Sequence, residues 1–376
     1  MLAHPRAGAF FGQQLASWEG HDGPYDAFDS DVRRALAPAL GDAASDPALF
    51  GWNFETYAPG DDALRARLRQ RIVDTDARGG INTLHWPMGN FAIHCAPHAC
   101  TDNDNQPGVD PVHLIATDAL FTDPRDDVER HAGAVFDERV DELAAMLQSL
   151  RDANGALIPI IVRPFHEMNK DSPGATAHWW AGRDPGDYRA MWRRMIDRLR
   201  ADGVTNMLIA FAPRGELLFT GTGTPAERYA RFWPETEPST ASGRYVDIAA
   251  FDDYLTDDEP AQQLGDAIDV TSAFATASAR VVPRVSAIAE CGRKDGTGSP
   301  CSDQGTCYQD GRFWTERMLP VLDADGGARW SRIAYLMTWA NGTFSTYPGA
   351  PAAQADDFVA WFRAPGTLFL SEREPF

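Results

Sequence analysis

Ile160-Ile161-Val162-Arg163-Pro164-Phe165-His166-Glu167 is a short apolar run that ends abruptly in an aromatic ring, an imidazole and a carboxylate. Near-continuous apolar runs of this kind mark strands covered on both faces, as in parallel sheets. The stretch predicts a strand over Leu157–Phe165. Seven further runs read the same way: Ala9–Gln13, Ala48–Phe54, Ile81–Trp86, Asn206–Ala212, Tyr245–Phe251, Pro283–Ala289 and Ile333–Trp339. Amphipathic stretches lie between several of them. Asp61–Arg78 carries Leu64, Leu68, Ile72 and Val73 on one face, Phe136–Arg151 carries Val140, Leu143, Ala144, Leu147 and Leu150, and Asp187–Ala201 carries Met191, Met195, Ile196 and Leu199. Strand, polar loop and helix, repeated eight times, predict an α/β fold, a (β/α)8 TIM barrel forming a single catalytic domain over residues 1–376; a doubly wound open sheet is the alternative. Long excursions follow the third, fifth and seventh strands, at Gly89–Arg130, Arg214–Gly243 and Cys291–Gly311, on the face where barrel enzymes build clefts.

The composition narrows the partners. With 34 Lys and Arg against 54 Asp and Glu, the formal charge is −20. Nucleic acid and anionic membrane surfaces need a basic patch, so neither is expected as a partner. A neutral polysaccharide is not repelled, and the acidic excess itself reads as a solvated surface. No run of eighteen apolar residues is present, so no membrane span is expected. The opening Met1-Leu2-Ala3-His4-Pro5 lacks a basic segment followed by an apolar one. The expectation is a cytoplasmic protein or a mature secreted form with its signal removed, acting as a monomer. Five cysteines bear on this choice. Cys95 with Cys100, and Cys301 with Cys307, are close enough in sequence for local disulfides, which suits export; Cys291 is left over. His94, Cys95, His98 and Cys100 offer a zinc alternative, although four ligands in seven residues are unlike common zinc modules.

Two glutamates end strands. Glu167 follows the fourth and Glu290 follows the seventh, Val285-Ser286-Ala287-Ile288-Ala289. Glycoside cleavage needs two carboxyls, one protonated to neutralise the departing oxygen and one ionised to attack the anomeric carbon or assist that attack. At a separation of about 5–5.5 Å the second is a nucleophile and configuration is retained. Arg163 is expected to keep one group charged, while apolar surroundings raise the pKa of the other. A salt-bridged strand end explains either glutamate alone, but less readily both. A metal-dependent hydrolase built on His85, His94 and His98, and a non-catalytic carbohydrate-binding barrel, are the readings from other classes. The paired-carboxyl chemistry itself needs no metal and no cofactor.

Arg163-Pro164-Phe165-His166-Glu167-Met168-Asn169 closely resembles the acid/base motif of family 26 glycoside hydrolases, most of which are endo-β-1,4-mannanases in a barrel clan with catalytic glutamates on strands four and seven. Most of that clan has Asn before the acid/base; family 26 has His, as His166 does here. Phe10–Gln14, Phe50–Phe54, Gly79–Trp86, Tyr245–Tyr254, Ala289–Gly292 and Tyr335–Asn341 resemble its first, second, third, sixth, seventh and eighth strands in order. The resemblance implies a secreted, retaining hydrolase of mannan, glucomannan or galactomannan, with Glu167 as acid/base and Glu290 as nucleophile. It implies that Tyr254 bonds Glu290, that His166 bonds a sugar hydroxyl or the nucleophile, and that Trp339 floors the reacting sugar, whose axial C–H face suits an aromatic ring. His85, Trp86, Arg163, Trp179, Trp180 and Asp252 complete the expected substrate-binding set. Two departures touch sugar subsites. Lys170-Asp171-Ser172-Pro173-Gly174 stands where mannanases of the family carry a tryptophan soon after the acid/base, and Ala340 replaces an arginine. Relatives in the family act also on β-1,3-xylan and mixed-linkage β-glucan, which is the alternative substrate class.

Overall fold

The computed structural model describes residues 8–15, 29–54, 62–94, 100–170, 178–235, 244–255, 261–278, 284–293, 312–339 and 352–372. His98, Cys95, Cys301, Cys307 and Ala340, and the segment from Asp171 to Gly174, lie outside them, as do parts of the excursions after the fifth and seventh predicted strands. In chain order the strands are β1 (Ala9–Gln14), β2 (Leu49–Asn53), β3 (Ile81–Trp86), β4 (Leu120–Asp123), β5 (Val128–His131), β6 (Ile160–Pro164), β7 (Met207–Phe211), β8 (Ile248–Leu255), β9 (Val285–Arg293), β10 (Ile333–Thr338) and β11 (Thr367–Leu368). All eight predicted strands are present, with ends within four residues of the prediction, β8 and β9 running furthest beyond their predicted ends. β1, β2, β3, β6, β7, β8, β9 and β10 follow one another in the sheet, and β10 pairs in parallel with β1. That last pairing excludes the open sheet: the fold is a (β/α)8 barrel.

The chain divides into two compact units. The first comprises Met1–Trp52, Asp74–Thr83 and Ile248–Phe376; the second comprises Asn53–Val73 and Leu84–Asp247. Within the first, β9 is irregular. Phe251 faces Ile288, yet its neighbour Asp252 faces Glu290, so one extra residue of β9 is inserted opposite β8. The pairing with β10 shifts in the same stretch, between Leu336 opposite Ile288 and Thr338 opposite Cys291. A bulge of this type resets the two-residue alternation and re-aims the side chains beyond it. Glu290 is therefore inside a strand rather than after its end.

In the second unit, the excursion after β3 is not loop throughout. It contains the helix Pro111–Thr117 and the antiparallel hairpin of β4 and β5. The helix Pro185–Ala201 starts where Asp184 accepts from the backbone N–H groups of Gly186 and Asp187, with Pro185 in the first turn where no N–H is needed. Its buried face presents Tyr188, Met191, Trp192, Met195, Ile196 and Leu199. Two of its arginines are clamped bidentately to the helix Ala132–Ser149, Arg194 to Asp137 and Arg198 to Asp141. From this fixed helix the Tyr188 hydroxyl donates to the carbonyl of Phe165 at 2.8 Å, which ties down the chain just after β6.

Candidate active site

The segment after β6 is backbone held away from its relaxed shape. Phe165 and Glu167 both have positive φ, 44° and 52°, in the left-handed region that residues with a Cβ avoid. Surrounding hydrogen bonds impose it. The Glu167 N–H donates to Ala212 O at 2.8 Å, and the Trp180 indole N–H donates to His166 O at 2.7 Å. Strain of this kind persists only where neighbours overdetermine the conformation, and such places concentrate at active sites.

The Glu167 carboxylate, in a residue only 3% exposed, faces three basic side chains. Arg214 Nη1 lies 3.3 Å from Oε1, the Lys170 ammonium pairs with Oε2, and His178 Nε2 lies 3.9 Å from Oε2. Burial pushes the carboxyl up, but the neighbouring Arg214, Lys170 and His178 outweigh it and hold the pKa down at about 2. This corrects two expectations. The carboxyl is not raised by apolar surroundings, and the group holding it charged is not Arg163. The Arg163 guanidinium is buried and acts instead to lower the pKa values of His85, after burial itself, and of His166, after burial and His178. Arg214 is in turn fixed by Glu216, Nε to Oε1 at 2.5 Å, and by a reciprocal pair of hydrogen bonds between its backbone and the Asn169 amide.

Three histidines line the same segment. The Asn53 amide oxygen, an acceptor, lies 3.2 Å from His85 Nδ1, and His85 Nε2 lies 3.1 Å from His166 Nδ1. An acceptor at the start of the chain places the hydrogen on His85 Nδ1, so His85 Nε2 accepts from His166 Nδ1–H and the lone pair of His166 is on Nε2. Both rings have pKa values well below the ordinary range, burial being the main cause, which agrees with one proton on each. His178 stacks on Trp180, with ring centroids 4.6 Å apart, and its Nδ1 lies 2.9 Å from Asp102 Oδ2, off the line a ring N–H prefers.

Trp86, Trp179 and Trp180 were expected at the sugar, but all three are fully buried and offer no face to a ligand. Trp179 donates its indole N–H to Met88 O at 2.7 Å, and Trp86, Trp179 and Trp180 pack around the Phe165 ring. They brace the strained segment. His94 is exposed and lies 3.6 Å from Asp127, and among the described residues it joins no group of three metal-ligating side chains, nor does His85.

In the first unit the second carboxylate has its own setting. Glu290 is 5% exposed on β9, next to Asp252 on β8, and the Tyr254 hydroxyl donates to its Oε1. Burial first, then Asp253, Glu290 and Asp252, push the adjacent Cys291 thiol up, so it stays protonated and inert. Half-buried Trp339 follows β10, its backbone N–H donating to Cys291 O at 3.1 Å. Arg214, His178, Asp102 and Asn53 were missed by sequence reasoning. Arg214 was open to the criterion that found Glu167, a charged residue just beyond a strand.

Glycosyl hydrolase family 26 matches residues 45–289, more than half of the chain, from β2 to the residue before Glu290. The chain belongs to this family. As a family 26 member it resembles a mannan endo-1,4-β-mannosidase of Bifidobacterium adolescentis, 28% identical over 312 residues; the match takes in 78% of this chain and 26% of that protein, so the chain spans about a quarter of its relative's length. Among solved structures, a modular endo-β-1,4-mannanase of Cellulomonas fimi superposes with a TM-score of 0.74 at 27% identity, over 98% of this chain and 74% of the other. The catalytic domain of the Bacillus sp. JAMB-750 family 26 endo-β-1,4-mannanase gives 0.73 at 26% identity, over 97% and 88%.

Proposed function

We propose that this family 26 protein is an endo-acting hydrolase of β-1,4-mannosidic bonds that retains configuration, with residues 1–376 as its catalytic domain. The reading rests on two buried carboxylates at strand positions of the family's barrel, Glu167 just beyond the fourth barrel strand and Glu290 on the seventh with Tyr254 bonded to it. The named activities of the B. adolescentis, C. fimi and Bacillus relatives support the choice of mannan. In the first step Glu290 attacks the anomeric carbon while Glu167 protonates the departing glycosidic oxygen; in the second, Glu167 takes a proton from the water that displaces Glu290. Tyr254 orients the attacking carboxylate, His166 bonds a sugar hydroxyl, and Trp339, which keeps exposed surface, floors the reacting sugar. Cys100 is disulfide-bonded, which supports action outside the cytoplasm; no helix among the described residues is long and apolar enough to cross a membrane.

Reducing-sugar release across mannan, glucomannan, β-1,3-xylan and mixed-linkage β-glucan tests the substrate. Mannan and glucomannan are expected to be cut fastest. Activity on xylan or mixed-linkage glucan with none on mannan overturns the mannan reading and keeps the mechanism. Proton NMR of the first product is expected to show the β-anomer; the α-anomer first excludes the double displacement.

The ionised state of Glu167 in the free protein has a kinetic consequence. Its role in the first step needs a proton, and Lys170 opposes that proton. Replacing Lys170 by Met removes a positive charge beside the carboxylate, which disfavours the ionised form and raises the pKa from about 2. The protonated acid then persists to higher pH. The basic limb of the kcat/KM profile, which reports the acid in the free enzyme, is expected to move upward in Lys170→Met by about one pH unit. A limb that stays in place or moves down contradicts the assignment of that limb to Glu167.

A further inference from the structure

We propose that His166, Glu167 and His178 form a binding site for one zinc ion, and that its occupation switches hydrolysis off; the second half of this statement rests on the acid/base role of Glu167 given above. The three residues belong to one compact unit, and a ligand atom from each lies within 4.8 Å of the others. Zinc–nitrogen bonds of about 2.0–2.1 Å in a tetrahedron separate ligands by roughly 3.4 Å, so side-chain rotations closing about an ångström suffice.

Proximity alone is a weak argument. What makes this cluster a site is how its rings are held. A zinc-bound histidine usually donates its second ring N–H to a fixed acceptor, which selects the tautomer and aims the lone pair. His166 has that support, its Nδ1 meeting His85 Nε2 in the chain anchored by Asn53. His178 has the acceptor beside it, Asp102 Oδ2 at 2.9 Å from Nδ1 but off the N–H line, so a turn of the ring completes the bond. Both Nε2 lone pairs are thereby directed away from their supports, that of His178 toward the Glu167 carboxylate. The residues are 4%, 3% and 8% exposed in chain order, so an ion held by them is largely withdrawn from water.

The charges agree with a divalent ion. A cation already sits on Glu167 Oε2, the Lys170 ammonium, on a side chain 22% exposed. With Lys170 withdrawn, Glu167 and Glu216 share Arg214 and Asp102 faces His178, so a divalent ion supplies positive charge where a cation has left. Two imidazoles and one carboxylate select zinc or its transition-metal neighbours over magnesium and calcium, which prefer sets made of oxygen alone. A Glu167 carboxylate ligated to zinc carries no proton for a leaving group.

Isothermal titration of chelator-treated protein with zinc chloride, run beside a mannan hydrolysis assay, tests the site. One equivalent is expected to bind, with hydrolysis lost in proportion and restored by EDTA, and magnesium chloride is expected to give no heat of binding. Asp102→Asn is expected to weaken zinc about 10–100-fold, in line with loss of a supporting carboxylate. His178→Phe is expected to weaken it further, and Lys170→Met, which removes the competing cation, to tighten it. A wild-type protein that binds no zinc, or equal affinities in wild type, His178→Phe and Lys170→Met, overturns the proposal. One bound equivalent with hydrolysis undiminished keeps the site and overturns instead the placing of Glu167 on the reaction path.

Discussion

Glu290→Ala is expected to give a folded protein whose hydrolysis of polysaccharide falls by at least about 10⁴-fold, because loss of a covalent nucleophile removes the route through the glycosyl-enzyme rather than slowing it. The Tyr254 hydroxyl on β8 donates to the side chain, and the strands on either side pair through backbone groups that the substitution leaves in place. The far-ultraviolet circular dichroism spectrum should therefore match that of wild type. Azide added to the variant supplies an outside nucleophile of the right size for the space vacated. Transfer to azide with inversion, giving the α-glycosyl azide from an activated aryl β-mannoside, is the expected rescue. Wild-type activity in Glu290→Ala, or rescue with the β-product, removes Glu290 from the nucleophile position.

The second large effect is selective. Glu167→Ala is expected to slow natural mannan by about 10²–10⁴-fold, the range for loss of a general acid, and to slow cleavage of aryl mannosides bearing acidic phenols far less. A sugar leaves as a strongly basic alkoxide without the proton, whereas a nitrophenolate needs little help. Equal slowing of both substrates counts against the acid role. The substitution also takes the Glu167 carboxylate away from Arg214, which keeps Glu216, and from Lys170. Glu167→Gln keeps the shape and separates charge from volume: it should reproduce the substrate selectivity.

Much of this was legible in the residues. The eight strands declared themselves because parallel barrel strands are covered on both faces, and Ile160–Phe165 or Ile333–Thr338 carry that history in their apolar side chains. Both carboxylates were legible because each stands where such a run meets polar chain. What could not be read is non-local. The depressed pKa of Glu167 comes largely from Arg214, 47 positions further on, and no spacing rule relates the two. The bulge in β9 leaves no compositional trace, so Glu290 was placed after the strand and not in it. Trp179 and Trp180 show the limit from the other side. An aromatic pair near a site has the same letters whether it meets a sugar or fills a core, and here burial settles on the core.

The parallel pairing of β1 with β10 also bears on how the protein is made. β1 leaves the ribosome before β10, one of its two barrel neighbours, which begins at Ile333, roughly 320 residues later; at about 5–20 residues per second that means a wait on the order of 15–65 s. Throughout that interval the newborn Ala9–Gln14 edge is sticky and half-matched. Unpaired strand edges make nascent chains aggregation-prone, so the yield of folded protein in a foreign host is expected to rise with a co-expressed holdase chaperone.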